Sequence, residues 1–196
     1  MRPFPDFRLG SELATGFTAT LTERCGDPLE RIPTPQRLAD WFTVVGLAVF
    51  ACTDDDLARA VELREAIHRA ATAAARDEPL PPRAVRVLND CSARGRAALV
   101  LTPQRQGRWD LTAGDETTDA LGVIARDAIT LLAGERPGRW ALCASPTCRA
   151  AFFDTSRSRS RRWCEMNTCG NKEKKARFSA AHESPAQGAG HASPGR

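Results

Sequence analysis

The sequence predicts a mainly α protein of the α+β class: a helical N-terminal domain with a small β-hairpin, followed by a small module built on four cysteines. Three observations carry this. Apolar residues recur at helical spacing in long stretches, proline and glycine clusters separate those stretches, and two C-x4-C pairs stand together near the C-terminus. At 196 residues there is room for one principal core and a small appendage.

The opening ten residues are rich in Pro and Phe and lack a period, and 11–24 reads as a short helix. Thr34-Pro35 then reads as an N-cap followed by a first-turn proline. Leu38, Trp41, Phe42 and Val45 follow at i, i+3, i+4, i+7, so an amphipathic helix should end near Gly46. Thr53 precedes three aspartates that suit the positive end of a helix dipole, and Leu57, Val61, Leu63, Ile67, Ala70 and Ala74 continue an apolar side to about Arg76. The prolines at 79, 81 and 82 stop that helix, and Pro82 begins a shorter one with Val85 and Leu88 inward. Two strands, 97–102 and 108–112, form the expected hairpin. Leu121, Ile124, Ala125, Ala128, Leu131 and Leu132 give the clearest stripe, on a helix over 115–133. Gly134 and Pro137-Gly138 close it, so the boundary between body and module belongs at 134–139. The Ala-, Ser-, Gly- and Pro-rich 181–196 reads as a disordered tail.

Composition narrows the classes. A hydrophobic fraction of 42% and a charged fraction of 27% are ordinary for a soluble globular chain. No apolar h-region opens the sequence, and the apolar run around 44–52 is broken by Gly46 and too short to span a bilayer. The expected setting is the cytoplasm, without membrane contact. There, closely spaced thiols more often hold metal than form disulfides.

Cys143 and Cys148, then Cys164 and Cys169, supply four thiolates for one tetrahedral ion. The expected ion is Zn²⁺ in a structural role, because four protein ligands close the shell and few large apolar residues surround them. The complete cysteine set leaves no place for His182 or His191, and Cys25, Cys52 and Cys91 read as incidental small hydrophobes. A zinc hydrolase needs an open coordination position and a neighbouring base, so no enzyme is expected and no catalytic residue is assigned.

Charge is uneven. Residues 149–178 carry nine basic side chains against three acidic ones, a local +6 in a chain of net +4, which leaves −2 for the remainder. A basic end on a slightly acidic body suits a polyanion partner. The same basic residues could instead balance the −2 of four thiolates and Zn²⁺.

The run Phe152-Phe153-Asp154-Thr155-Ser156-Arg157, then Ser160-Arg161-Arg162-Trp163-Cys164 and Cys169-Gly170-Asn171-Lys172, resembles the CGNR zinc-finger family. Lys172 stands where that family has arginine; the charge is kept and the planar two-pronged donor is lost. Upstream, Thr34-Pro35, Leu38 and Trp41, then Asp56-Leu57 and Leu63-Arg64-Glu65-Ala66, are similar to the stress-induced transcription regulator (ABATE-type) domain that commonly precedes this finger. Phe17-Thr18-Ala19-Thr20 departs from that domain's Asn-containing opening.

The resemblance implies a helical regulatory or sensing domain over 1–135 and a treble-clef-like four-cysteine zinc finger over 138–180. It implies binding of nucleic acid, DNA first, in transcription regulation and stress response. The residues expected to meet nucleic acid are Arg157, Arg159, Arg161, Arg162, Lys172, Lys174, Lys175 and Arg177. A homodimer and a small-molecule effector of the helical domain belong to the same expectation. The alternative is a zinc-stabilised protein–protein adaptor that binds no nucleic acid.

Overall fold

A computed structural model describes residues 6–183. The first helix, α1 (Leu13–Thr18), is shorter than the sequence suggests. The chain leaves it for a two-residue strand β1 (Leu21–Thr22), paired antiparallel with β2 (Leu29–Glu30). Threonine hydroxyls account for the stop: Thr18 Oγ1 donates to Thr15 O at 3.0 Å and Thr20 Oγ1 to Phe17 O at 2.8 Å. Such bonds compete with continued helix for the same carbonyls.

Helix α2 (Pro35–Val44) begins as expected, with Arg37 N donating to Thr34 Oγ1 at 3.3 Å, and buries Leu38, Trp41 and Phe42. Helix α3 (Asp54–Ala74) is the central element. Its start is a reciprocal cap in which Asp56 N donates to Thr53 Oγ1 at 3.2 Å and Thr53 N to Asp56 Oδ2 at 2.8 Å. Leu63, Ala66, Ile67 and Ala70 form its buried face. Between them the Arg64-Glu65 pair has a structural task. Buried Arg64 donates to Glu30 Oε1 at 2.8 Å and to Thr20 Oγ1 at 3.2 Å, while Glu65 takes Arg24 at 2.8 Å, so β1 and β2 are fastened to α3.

Helix α4 (Pro82–Arg94) turns Ala84 and Leu88 inward and leaves Val85 half-buried, a rotation of the face the sequence suggests. Strands β3 (Ala98–Leu101) and β4 (Gly107–Asp110) form the expected hairpin, slightly shorter and with Leu101 opposite Gly107. Its base is held by the buried carboxylate of Asp119 on α5 (Glu116–Leu132), which accepts from Arg96 N at 2.6 Å and Thr112 N at 2.7 Å. Helices α4 and α5 approach so closely near Gly95 and Gly122 that a Cβ on Gly122 would lie 2.7 Å from the Gly95 Cα.

The C-terminal module is a second hairpin, β5 (Arg139–Leu142) and β6 (Ala151–Asp154), then a single π turn (Met166–Gly170) and helix α6 (Asn171–Glu183). The protein is therefore mainly α, with a treble-clef-like finger. Helix α6 continues through 181–183, which the composition assigns to the tail; the rest of that tail, 184–196, and the first five residues of the helical domain lie outside the described residues. Trp140, Ala151 and Phe153 of the second hairpin share one buried cluster with Phe17, Trp41, Ile67 and Ile124 of the helices. No helix among the described residues is long and apolar enough to cross a membrane.

Both of the tight joints on α5 can be tested by substitution. Gly122→Ala forces the α4–α5 contact apart, since the group met is backbone, and should lower unfolding stability by about 1–3 kcal/mol in urea titration. Asp119 is the second case. Burial would raise its pKa, but the amides of Arg96 and Thr112 and the charge of Arg96 outweigh that and hold it below its ordinary 3.8. Its stabilisation is therefore complete above that value and is lost as pH falls through the depressed one. Asp119→Ala should be less stable than the parent at neutral pH, and the gap should narrow in acid.

Candidate metal centre and its basic loop

The first cysteine pair sits on the bend between β5 and β6. The Ser145 carbonyl shapes it: Cys148 N and Arg149 N both donate to Ser145 O, at 3.2 and 3.1 Å, and Cys143 N donates to Ala150 O at 2.8 Å. Pro146 at the tip has no N–H to satisfy there. The second pair is brought back by the loop 155–162, whose last residue gives its carbonyl to Ala144 N at 2.8 Å. The π turn, closed by Gly170 N donating to Glu165 O at 3.2 Å, then aims Cys169 at the first pair.

The four sulphurs lie within 4.8 Å of one another. Cys148 Sγ is 3.7 Å from Cys164 Sγ, which is 3.6 Å from Cys169 Sγ. A disulfide would need about 2.05 Å. Four sulphurs at the usual Zn–S length of about 2.3 Å define a tetrahedron with edges of about 3.8 Å, so the donor set fits a zinc ion and not a disulfide. Cys143, Cys148 and Cys169 are buried and Cys164 half-buried. Packed this way, the thiols cannot all ionise alone. Donation from Cys148 and Cys164 pulls the Cys143 pKa far down, and the same contact, with burial, pushes Cys148 and Cys164 up. A divalent cation removes that conflict by taking all four as thiolates. When bound, it supplies a structural cross-link between two chain segments.

Trp163 packs against this cluster, as a cover for the metal site. Gly170 packs beside it: a Cβ there would press on the Met166 side chain, with Sδ at 2.4 Å, and on Trp163 Cδ1 at 3.3 Å. Ser145 Oγ donates to Glu173 Oε1 at 2.9 Å, fastening the first cysteine bend to α6.

Asp154, fully buried at the end of β6, sets the basic loop. Its carboxylate accepts from Ser156 N and Arg161 N, both at 3.0 Å, so one side chain gathers both ends of 155–161. Burial opposes its charge, but the Ser156 and Arg161 donors prevail and keep its pKa below the ordinary value. On this loop Arg157, Arg159, Arg161 and Arg162 are all exposed. Arg161 lies over the Phe152 ring and donates to Cys164 O at 2.8 Å; Arg162 lies over Trp163. Lys174 and Lys175 are exposed on α6, and the side chain of Arg177 lies outside the described residues.

Lys172 is placed differently. Its ammonium donates to Glu23 Oε2 at 2.8 Å and Thr147 Oγ1 at 3.0 Å, and Thr147 Oγ1 itself donates to Glu23 at 2.6 Å. Cys25 N completes the seam by donating to Thr147 O at 2.9 Å. The lysine that replaces the family's arginine thus ties finger to body. Glu23 and Thr147 are 124 residues apart, and nothing in the sequence pairs them.

Residues 11–135 match the family model ABATE, described as "Putative stress-induced transcription regulator", and residues 139–182 match the CGNR zinc finger. No curated protein matches the chain significantly.

Replacing one ligand separates the parts of this arrangement. Cys169→Ser should lose the ion and the ordered finger, read as loss of the near-ultraviolet signal of Trp140 and Trp163. Helices α1 to α5 should keep their far-ultraviolet signal but melt at lower temperature, because Trp140 and Phe153 leave the shared core. An unchanged near-ultraviolet spectrum would contradict the role given to the metal.

Proposed function

The chain belongs to the ABATE family, and from that footing we propose that it is a cytoplasmic, DNA-binding transcriptional regulator acting in a stress response. In this reading the finger docks on DNA phosphates while the helical body senses a signal or dimerises. The observation that carries it is the exposed arginine loop pinned by Asp154 beside a four-cysteine site. Four arginines presented on a fixed loop favour phosphate, which a planar guanidinium contacts with two parallel donors.

A purely internal use of these arginines has less support. Among the described residues none of the guanidiniums of 157–162 donates to a cysteine sulphur; their one bond toward the site runs from Arg161 to the Cys164 carbonyl. Lys172 is already shared with Glu23, so Arg157, Arg159, Lys174 and Lys175 are the better candidates for DNA contact. The protein is read as non-catalytic, since four thiolates fill the coordination shell and leave no position for an activated water.

Salt dependence tests this. Each neutralised phosphate releases condensed counterion, so log affinity should fall linearly with log salt at about −0.9 per contact on duplex DNA. Arg157→Gln with Arg159→Gln, in protein shown to retain zinc, should weaken binding to all duplexes and flatten the slope by up to about two. An unchanged slope would remove both residues from the interface. No duplex binding by the parent at low salt would overturn the reading in favour of a protein adaptor.

A further inference from the structure

The β3–β4 hairpin is a two-stranded ribbon joined to the body at its base through Asp119. Six of its eight strand residues are exposed, so neither face is packed on the helices. The tip is a closed turn: Thr102 N donates to Gln106 O at 2.8 Å, Arg105 N to Thr102 O at 2.9 Å and Gln106 N to Thr102 Oγ1 at 3.2 Å. Gln104, Arg105 and Gln106 are all exposed on it. We propose that this tip enters the major groove of duplex DNA and reads base edges there, while the finger arginines hold phosphate. The ribbon's role rests on the DNA binding proposed for the finger.

From Arg94 to Trp109 the chain has four arginines and no acidic residue. Three of them lean on aspartates: Arg94 on Asp90 at 4.0 Å, Arg96 on Asp115 at 2.8 Å and Arg108 on Asp110 at 4.0 Å. The Arg105 side chain has no such partner among the described residues, and the side-chain amides of Gln104 and Gln106 are equally unspent. Arg105 also has a φ of 63°, in the left-handed region where glycine or asparagine is usual. The backbone thus holds a costly conformation at a position whose side chain returns no contact to the fold, which points to a contact outside the chain.

One cation between two neutral amides is a poor neutraliser of phosphate but suits base edges. A guanidinium spans guanine O6 and N7, and a glutamine amide spans adenine N6 and N7. The major groove, about 12 Å wide and about 8.5 Å deep, admits a two-stranded ribbon, and strands of four residues reach about 13 Å. Leu99 and Leu101, 64% and 79% exposed on one face of the ribbon, offer the apolar contact that thymine methyl groups take. The ribbon attaches at the N-terminal end of α5 and the finger follows its C-terminal end. That 17-residue helix is about 25 Å long, less than one duplex turn of about 34 Å. Phosphate contacts from the finger would fix position, and the tip would supply the sequence information that phosphate lacks.

The test uses the zinc-loaded full chain, a duplex selected by the parent from a random pool, and an unrelated duplex of equal length. Arg105→Asn keeps a residue that accepts the left-handed backbone, so it should melt no lower than the parent. It should weaken binding to the selected duplex by about 5- to 150-fold, the range for loss of one bidentate base contact, with far less effect on the unrelated duplex and an unchanged salt slope. Gln104→Ala with Gln106→Ala should also lose preference for the selected duplex, and Arg83→Gln on α4 should lose none. Equal loss on both duplexes, with the slope flattened by about one, would put Arg105 on phosphate and overturn the base-reading role. Unchanged affinity in both tip variants, while Arg157→Gln with Arg159→Gln still weakens binding, overturns the ribbon's part and leaves the finger's standing; a parent that sediments as a dimer and becomes monomeric on Leu101→Lys would then give the exposed leucines to a second copy. A parent that binds no duplex at low salt removes both.

Discussion

Four cysteine sulphurs within 4.8 Å of one another are the constraint on which the C-terminal module of this protein depends. Thiolates at such spacing repel, and neutral thiols there would waste the convergence that three separate turns achieve. A divalent cation turns the conflict into a cross-link between the β5–β6 bend and the π turn. The 155–162 loop is then a closed span whose ends are fixed by the metal and whose shape is fixed by Asp154. Without that closure the arginines of the loop would have no common frame.

The cross-link reaches further than the finger. Trp140 and Phe153, packed edge to face at 5.4 Å, enter the same core as the helices of the body. At the surface above them the Glu23, Thr147 and Lys172 triad and the Arg8–Glu165 pair join the two parts by charge. The family models divide the chain between residues 135 and 139, yet the packing across that division is continuous. The body's N-terminal segment thus meets the finger at Glu165, beside the ligand Cys164.

Much of this is legible in the sequence because it is written in local periods. The stripes of α2, α3 and α5, the Thr53 cap and the paired cysteine spacing each follow from residues a turn or two apart, and the structure has them in place. Elements decided by distant partners are not legible there. The short α1 and the β1–β2 pair depend on Thr20 and Glu30 meeting Arg64, more than thirty residues away. The inward face of α4 departs from its sequence period at Val85, which is half-buried while Ala84 and Leu88 are buried. Lys172 looks like a free cation in sequence because Glu23, its partner, carries no mark there.

The ion itself is the most direct thing to measure. Elemental analysis of protein purified under reducing conditions without chelator should give one zinc per chain. Replacement by Co²⁺ should give the intense thiolate-to-metal absorption and tetrahedral ligand-field bands of a four-sulphur site. Metal-free protein with an intact, ordered finger would be the contradicting result, because the four sulphurs would then be holding their positions without the charge that the structure requires.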